Sequence, residues 1–217
     1  MVQISAIGAD AKSDSAYART KALGEQGVLQ HQPNAVILRP SIVFGPEDQF
    51  FSRFASMSRM GPVLPVVGAG TKFQPVYVGD VAKAAEMGVL GQAKPGIYEL
   101  GGPDVNTFKE LMQQMLQVIH RRKLILNTPW FMARLMGWSF DMLQKLSFGL
   151  FTNGMITRDQ VKNLRRDNVV SSDAMRFTDL GIKPTALEAV LPEYLWRFRP
   201  SGQYDAIKDS AKNLRTD

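Results

Sequence analysis

Short apolar runs alternate with helix-forming segments in the first half of the chain, and this alternation constrains its fold more than any other feature. The apolar runs cover residues 2–7, residues 35–38, which Arg39-Pro40 closes, and residues 97–100, before a Gly-Gly-Pro turn. Between the first two runs, Ser13 or Ser15 can cap a helix that continues to about residue 30. Apolar strands separated by helices predict a parallel sheet that is covered on both faces.

Further elements follow in the same region, and the pattern then changes. A helix is predicted over residues 48–60 and an extended run over residues 73–78. Asp80 is then expected to cap a helix that continues to residue 90. From Thr107 the pattern is mostly helical, because Thr107 and Glu110 have the spacing of a capping box. A short strand at 124–126 and helices at 158–165 and 186–196 follow. The predicted organisation has three parts. Residues 1–106 form a part with alternating strands and helices, residues 107–199 form a mostly helical part, and residues 200–217 form a polar tail.

Composition excludes several kinds of site. The chain has 217 residues, of which 45% are hydrophobic, so it can bury a core. It has no cysteine, which excludes disulfides and thiolate metal sites. Its two histidines, His31 and His120, are too far apart in sequence to indicate a metal site. No leader is expected before the first strand, and no apolar stretch reaches the roughly 18 residues of a membrane span.

The net charge of +6 lies entirely in the second half of the chain. Basic and acidic residues balance over residues 1–108, while basic residues exceed acidic ones over residues 109–217. The excess clusters around Arg121-Arg122-Lys123, Arg165-Arg166 and the carboxyl-terminal region. Such asymmetry is typical either of a surface that meets an anionic partner or of a solubilising surface.

Tyr17 and Lys21 lie four residues apart in the first predicted helix, so they share one face and can act on one ligand. An ammonium group beside a phenol favours the phenolate and is expected to lower the pKa of the tyrosine. The spacing alone also arises by chance, so the neighbouring residues decide. Ser5 and Pro40 follow the strands on either side of this helix, where ligands of parallel sheets bind. A site is favoured in which Ser5 polarises a carbonyl, Tyr17 supplies a proton, and Lys21 tunes Tyr17 and holds ribose hydroxyls.

Several motifs resemble those of a known family. The first half contains ISAIGAD, YARTKALGE, LRPSIVFGPED and FQPVYVGDVAKA, which resemble atypical short-chain dehydrogenases/reductases with an extended substrate domain. The second half contains ITRDQVKNLRRDNVVS and LGIKPTALEAVLPEYLWRFR. These are similar to the branch that contains the accessory nucleotide-binding subunit of respiratory complex I and its bacterial relatives. The resemblance extends to about Arg199.

The resemblance implies an α/β fold with a partial Rossmann-like parallel sheet and helices, plus a smaller, mostly helical C-terminal domain of the substrate-binding type. It implies NAD or NADP as the cofactor. By this resemblance, Tyr17 and Lys21 match the active-site pair and also contact the nucleotide, Ser5 matches the active-site serine, and the loop along the nicotinamide is Pro40, Ser41, Ile42 and Val43.

One part of the family pattern is missing from the sequence. No glycine-rich strand–turn–helix is present to cradle a pyrophosphate, and Gly68-Ala-Gly70 precedes a strand pattern, which is typical of a plain turn. We therefore expect that the first half of the nucleotide domain is absent and that Met1 matches an internal position of the family. This chain alone is expected to bind dinucleotide weakly or not at all.

Three functions follow as alternatives. In the favoured one, the chain resembles the NAD(P)H-binding accessory subunit of complex I, in which the nucleotide is structural. Its partners are then complex I or a similar membrane complex and an anionic membrane surface, without nucleic acid. Its location is cytoplasmic and peripheral on the inner face of the inner membrane, or on the matrix side in a mitochondrion. The alternatives are an active NAD(P)-dependent reductase or epimerase, with quinone metabolism as one setting, and a membrane-surface assembly module without nucleotide.

Residues 130–148, WFMARLMGWSFDMLQKLSF, form an amphipathic pattern. At 100° per residue, tryptophans lie on a narrow charged stripe and a broad apolar face fills the rest. This pattern is typical of an interfacial helix on a membrane. A helix half-buried in the substrate domain is the more common structure with such a pattern, and both interpretations stay open.

Overall fold

The computed structural model describes residues 1–130, 158–200 and 202. The strands are β1 (Val2–Ile4), β2 (Val36–Pro40), β3 (Val43–Phe44), β4 (Val63–Val67), β5 (Lys72–Phe73), β6 (Val76–Tyr77), β7 (Gly96–Leu100), β8 (Asn106–Thr107) and β9 (Leu124–Thr128). The helices are α1 (Ala16–His31), α2 (Phe50–Met57), α3 (Val78–Val89), α4 (Phe108–Val118), α5 (Arg158–Asn163) and α6 (Leu187–Leu195), with 3₁₀ turns at Phe177–Leu180 and Trp196–Phe198.

A three-stranded parallel sheet in the order β1-β2-β7 forms the centre of the first half. Helix α1 covers one face and approaches it closely, because a Cβ added to Gly24 would lie 3.2 Å from Gln3 Nε2. Helix α3 covers the other face, where a Cβ on Gly88 would lie 2.7 Å from Val2 Cγ2. The predicted parallel sheet with helices on both faces is confirmed.

The helix starts show which of the predicted caps exist. Ser15, and not Ser13, caps α1, since its Oγ accepts the N–H of Ala18. The predicted capping box of Thr107 and Glu110 is present at the start of α4. The prediction that Asp80 caps α3 is wrong, because the helix begins at Val78. The Asp80 carboxylate instead accepts the N–H and the hydroxyl of Thr185, which ties α3 to the segment before α6.

The predicted extended run over residues 73–78 is divided into two short strands. β5 pairs antiparallel with β8, and β6 pairs parallel with β3. Pro75 lies between them and has no N–H for a ladder. Its carbonyl oxygen also lies against Gly102, where an added Cβ would be only 2.1 Å away. The chain therefore changes strand partner at Pro75.

Two hydrophobic cores hold the described parts together. The larger one contains Phe44 and Phe51 with the buried faces of α4 and α6. The second lies under the β1-β2-β7 sheet and includes Tyr98 together with Phe177 and Leu180. Both cores combine residues from before and after position 106, and the boundary between residues 106 and 107 stays a prediction. Within the described ranges, none of the helices is long and apolar enough to cross a membrane.

Candidate functional site

The carboxyl ends of β1, β2 and β7 bring three polar residues into one row. Arg39 pairs in register with Glu99. The ladder between β1 and β2 continues beyond β1, because the N–H of Ser5 donates to Leu38 O at 2.7 Å. Alternate residues of a strand point to the same face. Ser5, Arg39 and Glu99 therefore share the face that α1 covers.

Glu25 of α1 lies at the centre of this row. Its Oε1 accepts hydrogen bonds from Ser5 Oγ and from Arg39 Nε, the latter at 2.9 Å, and its Oε2 accepts one from an Arg39 Nη at 2.5 Å. The other Arg39 Nη lies 3.6 Å from Glu99. We call Ser5, Glu25, Arg39 and Glu99 the Glu25 network. Hydrogen bonding to Glu25 raises the pKa of Arg39, and the Glu25 side chain is only 5% exposed.

Tyr17 and Lys21 share one face of α1, and the Lys21 ammonium lies 5.7 Å from the centroid of the Tyr17 ring. This geometry is a cation–π contact. The expectation that Lys21 lowers the pKa of Tyr17 is wrong: burial raises that pKa, because a partly desolvated phenol loses stabilisation of its charged form. The Tyr17 residue is still 49% exposed, so the pair is accessible to a ligand.

Ser5 does not join this pair. It is 4% exposed, and its hydroxyl donates to Glu25. Glu25 lies two helical turns after Tyr17, which corresponds to about 12 Å along the axis. The structure therefore brings Ser5 to Glu25, while Tyr17 and Lys21 lie nearer the start of the helix. The catalytic assignment of Ser5, Tyr17 and Lys21 stays a prediction.

The loop from Pro40 to Val43 connects β2 to β3 and is fixed on both sides. The N–H of Ser41 donates to Leu100 O at 2.9 Å, and the carbonyl of Ile42 accepts the N–H of Val76 at 2.9 Å. The Ser41 hydroxyl donates to Asn168, at 2.5 Å from Oδ1 and 3.0 Å from the backbone oxygen. A residue from the second half of the chain therefore holds one of the predicted nucleotide-binding residues.

Asn168 belongs to a segment that crosses the candidate site, residues 159–171, which we call the strap. At its start, Asp159 accepts the N–H groups of Ala16 and Tyr17 at 2.8 and 3.1 Å. At its end, the N–H of Ser171 donates to Glu99 at 2.8 Å. The strap therefore contacts the first turn of α1, the Ser41 loop and the Glu25 network.

Sequence reasoning missed several of these residues, among them Glu25 and Asp159. Glu25 had a local signal, because it follows Lys21 by one helical turn in YARTKALGE and so lies on the same face as the Tyr–Lys pair. Asp159 had none, since it is separated from Tyr17 by 142 positions. A contact over that distance depends on how the two halves of the chain pack.

In the turn at Gly68-Ala-Gly70, Gly68 packs inward and Gly70 is exposed. The N–H of Thr71 donates to Gly68 O at 2.9 Å, and a Cβ on Gly68 would lie 2.9 Å from both Thr71 Oγ1 and the Trp130 ring. This is the plain turn that the sequence predicts, and it does not form an open cradle for a phosphate. In the part of the chain that the structure describes, no group of His, Asp and Glu is arranged to hold a metal ion.

Comparison with known families shows which protein family the chain belongs to. The model of the RmlD substrate binding domain family matches residues 9–132, which include α1, β2 and the Ser41 loop. The chain belongs to this family. This match, together with the relatives described next, confirms the resemblance seen in the sequence motifs.

Several individual proteins are similar in sequence to this chain. The chain is 37% identical over 205 residues to NADH dehydrogenase [ubiquinone] 1 alpha subcomplex subunit 9, mitochondrial, of Arabidopsis thaliana, covering 93% of this chain and 51% of that protein. It is 32% identical over 201 residues to the protein of the same name in Mus musculus, covering 91% and 51%. It is 28% identical over 130 residues to ceramide reductase of Caulobacter vibrioides, covering 59% and 41%. The chain spans about half the length of the curated relatives it matches.

A solved structure supports the fold. The dTDP-glucose 4,6-dehydratase of Bacillus anthracis, in complex with NAD, is 19% identical, with a TM-score of 0.60, over 98% of this chain and 64% of that one. A likeness at this level of identity shows the fold, which is Rossmann-like.

Proposed function

We propose that the chain acts as an NAD(P)H-binding accessory subunit of respiratory complex I, or of a similar membrane complex, and that the nucleotide is structural. The relatives named as NADH dehydrogenase subunits support the assignment. The observation that carries the structural role of the nucleotide is the hydrogen bond from Ser5 to Glu25. Carbonyl reduction needs a donor aimed at the oxygen where charge develops. Ser5 has a single hydroxyl proton and donates it to Glu25.

The described residues fit one end of a dinucleotide. The Tyr17 hydroxyl and the Lys21 ammonium are hydrogen-bond donors on one face of α1, where Tyr17 is exposed and Lys21 is half-buried, and ribose hydroxyls can accept from both. The loop of Pro40, Ser41, Ile42 and Val43 would lie along the nicotinamide. NAD(P)H supplies a hydride in enzymes that use it, whereas here these residues would only bind and orient it. We propose no pyrophosphate site at the Gly68-Ala-Gly70 turn, because Gly68 packs against Thr71 and Trp130 and a strand, β5, follows the turn.

Calorimetric titration with NADH and NADPH tests this proposal. We expect weak or absent binding by the 217-residue chain, and binding by a chimera in which the amino-terminal half of the Arabidopsis relative precedes Met1. In the chimera, Lys21→Ala should weaken binding by about 1.5–3 kcal/mol, the scale of a lost charge-assisted hydrogen bond. Lys94→Ala, on the turn before β7, is the matched control. A chimera that folds but binds neither nucleotide would overturn the proposal.

An active reductase or epimerase is the second candidate, and the similarity to ceramide reductase favours it. In that case Ser5 would have to leave Glu25 to reach a carbonyl, and Tyr17 would supply the proton. Tyr17→Phe in the chimera separates the two functions. Loss of NADPH-dependent turnover with unchanged nucleotide affinity would support an enzyme. If the unmodified chimera shows no turnover while it binds nucleotide, the structural role is favoured.

We also propose that the second half docks peripherally on an anionic membrane surface, on the inner or matrix face, beside its partner complex. Among the described residues, an exposed surface at β9 supports this proposal. Arg122, just before β9, and Leu124 and Leu126 on it are alternate residues, and all three are exposed. Trp130 does not contribute, because its ring packs on Gly68 and under Arg165, at 5.2 Å. The rest of the predicted amphipathic segment, from residue 131, lies outside the described residues.

Co-sedimentation with anionic and neutral vesicles over a salt series tests this surface. Each basic side chain near an anionic leaflet contributes about 1 kcal/mol, so Arg122→Gln should weaken binding to anionic vesicles roughly fivefold. Replacing both leucines of this face by serine should weaken binding at every salt concentration. Leu23→Ser, at an equally exposed position on α1, is the control. Equal binding to both vesicle types, or none to either, would exclude the membrane surface.

A further inference from the structure

The strap supplies hydrogen-bond acceptors to the first turn of α1, the helix that carries the Tyr–Lys pair. The first four backbone N–H groups of an α-helix have no acceptor within the helix. In α1, the N–H of Ala18 donates to the Ser15 hydroxyl at 3.4 Å, and the N–H of the cap residue Ser15 donates to Ser13 Oγ at 3.2 Å. The remaining two, of Ala16 and Tyr17, donate to the two carboxylate oxygens of Asp159 at 2.8 and 3.1 Å. Every orphan donor of the first turn is thus satisfied, half of them by Asp159.

Asp159 also supplies the charge that this turn lacks. α1 has no acidic residue in its own first turn, although a negative charge there is favoured by the helix dipole. The Ser15 hydroxyl adds a third hydrogen bond to Asp159, at 2.8 Å. Partial burial acts to raise the pKa of Asp159, but hydrogen bonds from Tyr17, Ser15 and Ala16 and the charge of Lys162 lower it overall. The carboxylate is therefore held in its ionised form.

Basic side chains of the strap hold the loop that precedes α1. Lys162 Nζ donates to the backbone oxygen of Asp14 at 3.0 Å. Arg166 lies 3.7 Å from Asp10 and 3.6 Å from the Asp14 carboxylate, and all three side chains are largely exposed. These outer contacts are weak individually, because water screens exposed pairs. They bring the strap to α1, while Asp159 determines where the first turn lies.

The other end of the strap is fixed to β5 and the residues beside it, near the Ser41 loop. The Thr71 hydroxyl donates to Leu164 O at 2.5 Å. The N–H of Asn168 donates to Lys72 O at 2.8 Å, and its carbonyl accepts the N–H of Gln74 at 3.1 Å. Ser41 then donates to this same Asn168. One continuous segment of the second half thus rests on both parts of the candidate nucleotide site.

We propose that Asp159 is the positioning residue of the Tyr17–Lys21 face, and that the strap couples the placement of this face to the Ser41 loop. The proposal rests on the proposed nucleotide site for its functional meaning, but its geometry is independent of nucleotide. Asp159 holds the backbone of Tyr17 itself. Without Asp159, the turn that carries the phenol loses two of its four end hydrogen bonds and the carboxylate that accepts them.

Amide exchange in the nucleotide-free 217-residue chain tests the positioning role. Asp159→Ala should accelerate exchange at Ala16 and Tyr17 by about fivefold, as for a lost helix cap, and should shift the ring resonances of Tyr17. Asp10→Asn, which removes an outer ion pair and leaves the cap intact, should change neither. Amides of β2 report whether a variant is still folded. Exchange at Tyr17 within twofold of the parent in folded Asp159→Ala would overturn the proposal.

The pH dependence distinguishes a charged cap from simple packing. Protection of Ala16 and Tyr17 in the parent chain should decrease as the pH falls through the depressed pKa of Asp159, whereas in Asp159→Asn it should not. Tyr17, Lys162, Arg166, Asp10 and Asp14 are the other charged or titratable groups around this contact, and Asp10→Asn should retain the parent profile. The same profile in Asp159→Asn as in the parent would contradict a role for the carboxylate.

Nucleotide binding by the chimera with the amino-terminal half of the Arabidopsis relative tests whether the Asp159 cap affects the nucleotide site. Asp159→Ala in the chimera should weaken NADPH binding by about fivefold, and Asp10→Asn should not. If the parent chimera binds no nucleotide, the proposed function fails while the exchange result still decides the cap. If the parent binds and Asp159→Ala binds equally well, the positioning role is wrong.

Discussion

The Glu25 network and the Asp159 cap both place a carboxylate against α1, but they differ in burial and in sequence distance. The Glu25 side chain is 5% exposed, and its partners come from the strands on which the helix packs. Asp159 reaches the helix from the other half of the chain and lies at its solvent-facing start. The sheet therefore holds α1 at Glu25, whereas the position of its first turn depends on the second half of the chain.

Among the substitutions that test this difference, Glu25→Ala should lower the free energy of unfolding most. Removing one partner of a buried ion pair leaves the Arg39 guanidinium without its main acceptor, which costs about 3–5 kcal/mol of unfolding free energy. Urea unfolding followed by far-ultraviolet circular dichroism measures it. Glu47→Ala, in an exposed loop, should stay within about 0.5 kcal/mol of the parent chain. An equal effect of the two substitutions would show that the network does not hold the helix.

Asp159→Ala should destabilise the chain by about 1–2 kcal/mol, the range of a lost helix cap. Because the folded pKa of Asp159 is depressed, its contribution is complete above the ordinary aspartate pKa of about 3.9 and is lost as the pH falls through the folded value. Parent and variant should therefore converge in stability in acid. A difference that stays constant from pH 7 to pH 3 would exclude the ionised cap as the cause.

Ser5→Ala should cost less, about 0.5–1.5 kcal/mol. The substitution removes one hydrogen bond to Glu25, but Oε1 still accepts from Arg39 Nε, so no buried acceptor is left unpaired. Thermal unfolding compared with exposed Ser172→Ala gives the difference. A loss as large as that of Glu25→Ala would mean that Ser5, and not Arg39, is the main partner of Glu25.

Arg166→Gln should have the smallest effect, below about 0.5 kcal/mol, because its ion pairs are exposed and longer than 3.5 Å. Any effect should disappear as salt is added. Urea unfolding at low and high ionic strength checks this. A larger, salt-independent loss would place Arg166 among the buried contacts and remove the distinction between cap and outer ion pairs.

The parts that could be predicted from the sequence were those with local causes. Strand and helix alternation predicted the sheet, and the spacing of Tyr17 and Lys21 placed them on one face. The cap at Thr107 was found, and Ser15 was one of two candidates for the cap of α1. The direction in which the pKa of Tyr17 is shifted could not be predicted, because the shift depends on the burial of the ring in the folded chain. The Ser5–Glu25 bond depended on where α1 rests along the strands. Asp159 and Asn168 could not be found because hydrogen bonds between distant segments leave no periodic pattern.

The 142 positions between Tyr17 and its cap residue Asp159 also have a consequence for the order of folding. At about 5–20 residues per second, synthesis of that intervening chain takes roughly 7–28 s. Helix α1 can dock on β1 and β2 within this interval, while its first turn is still without Asp159. Closure of so long a loop is entropically costly, so the turn that bears the phenol is expected to become ordered last. A ribosome-bound chain that ends before residue 159 should therefore already protect β2, yet expose Tyr17.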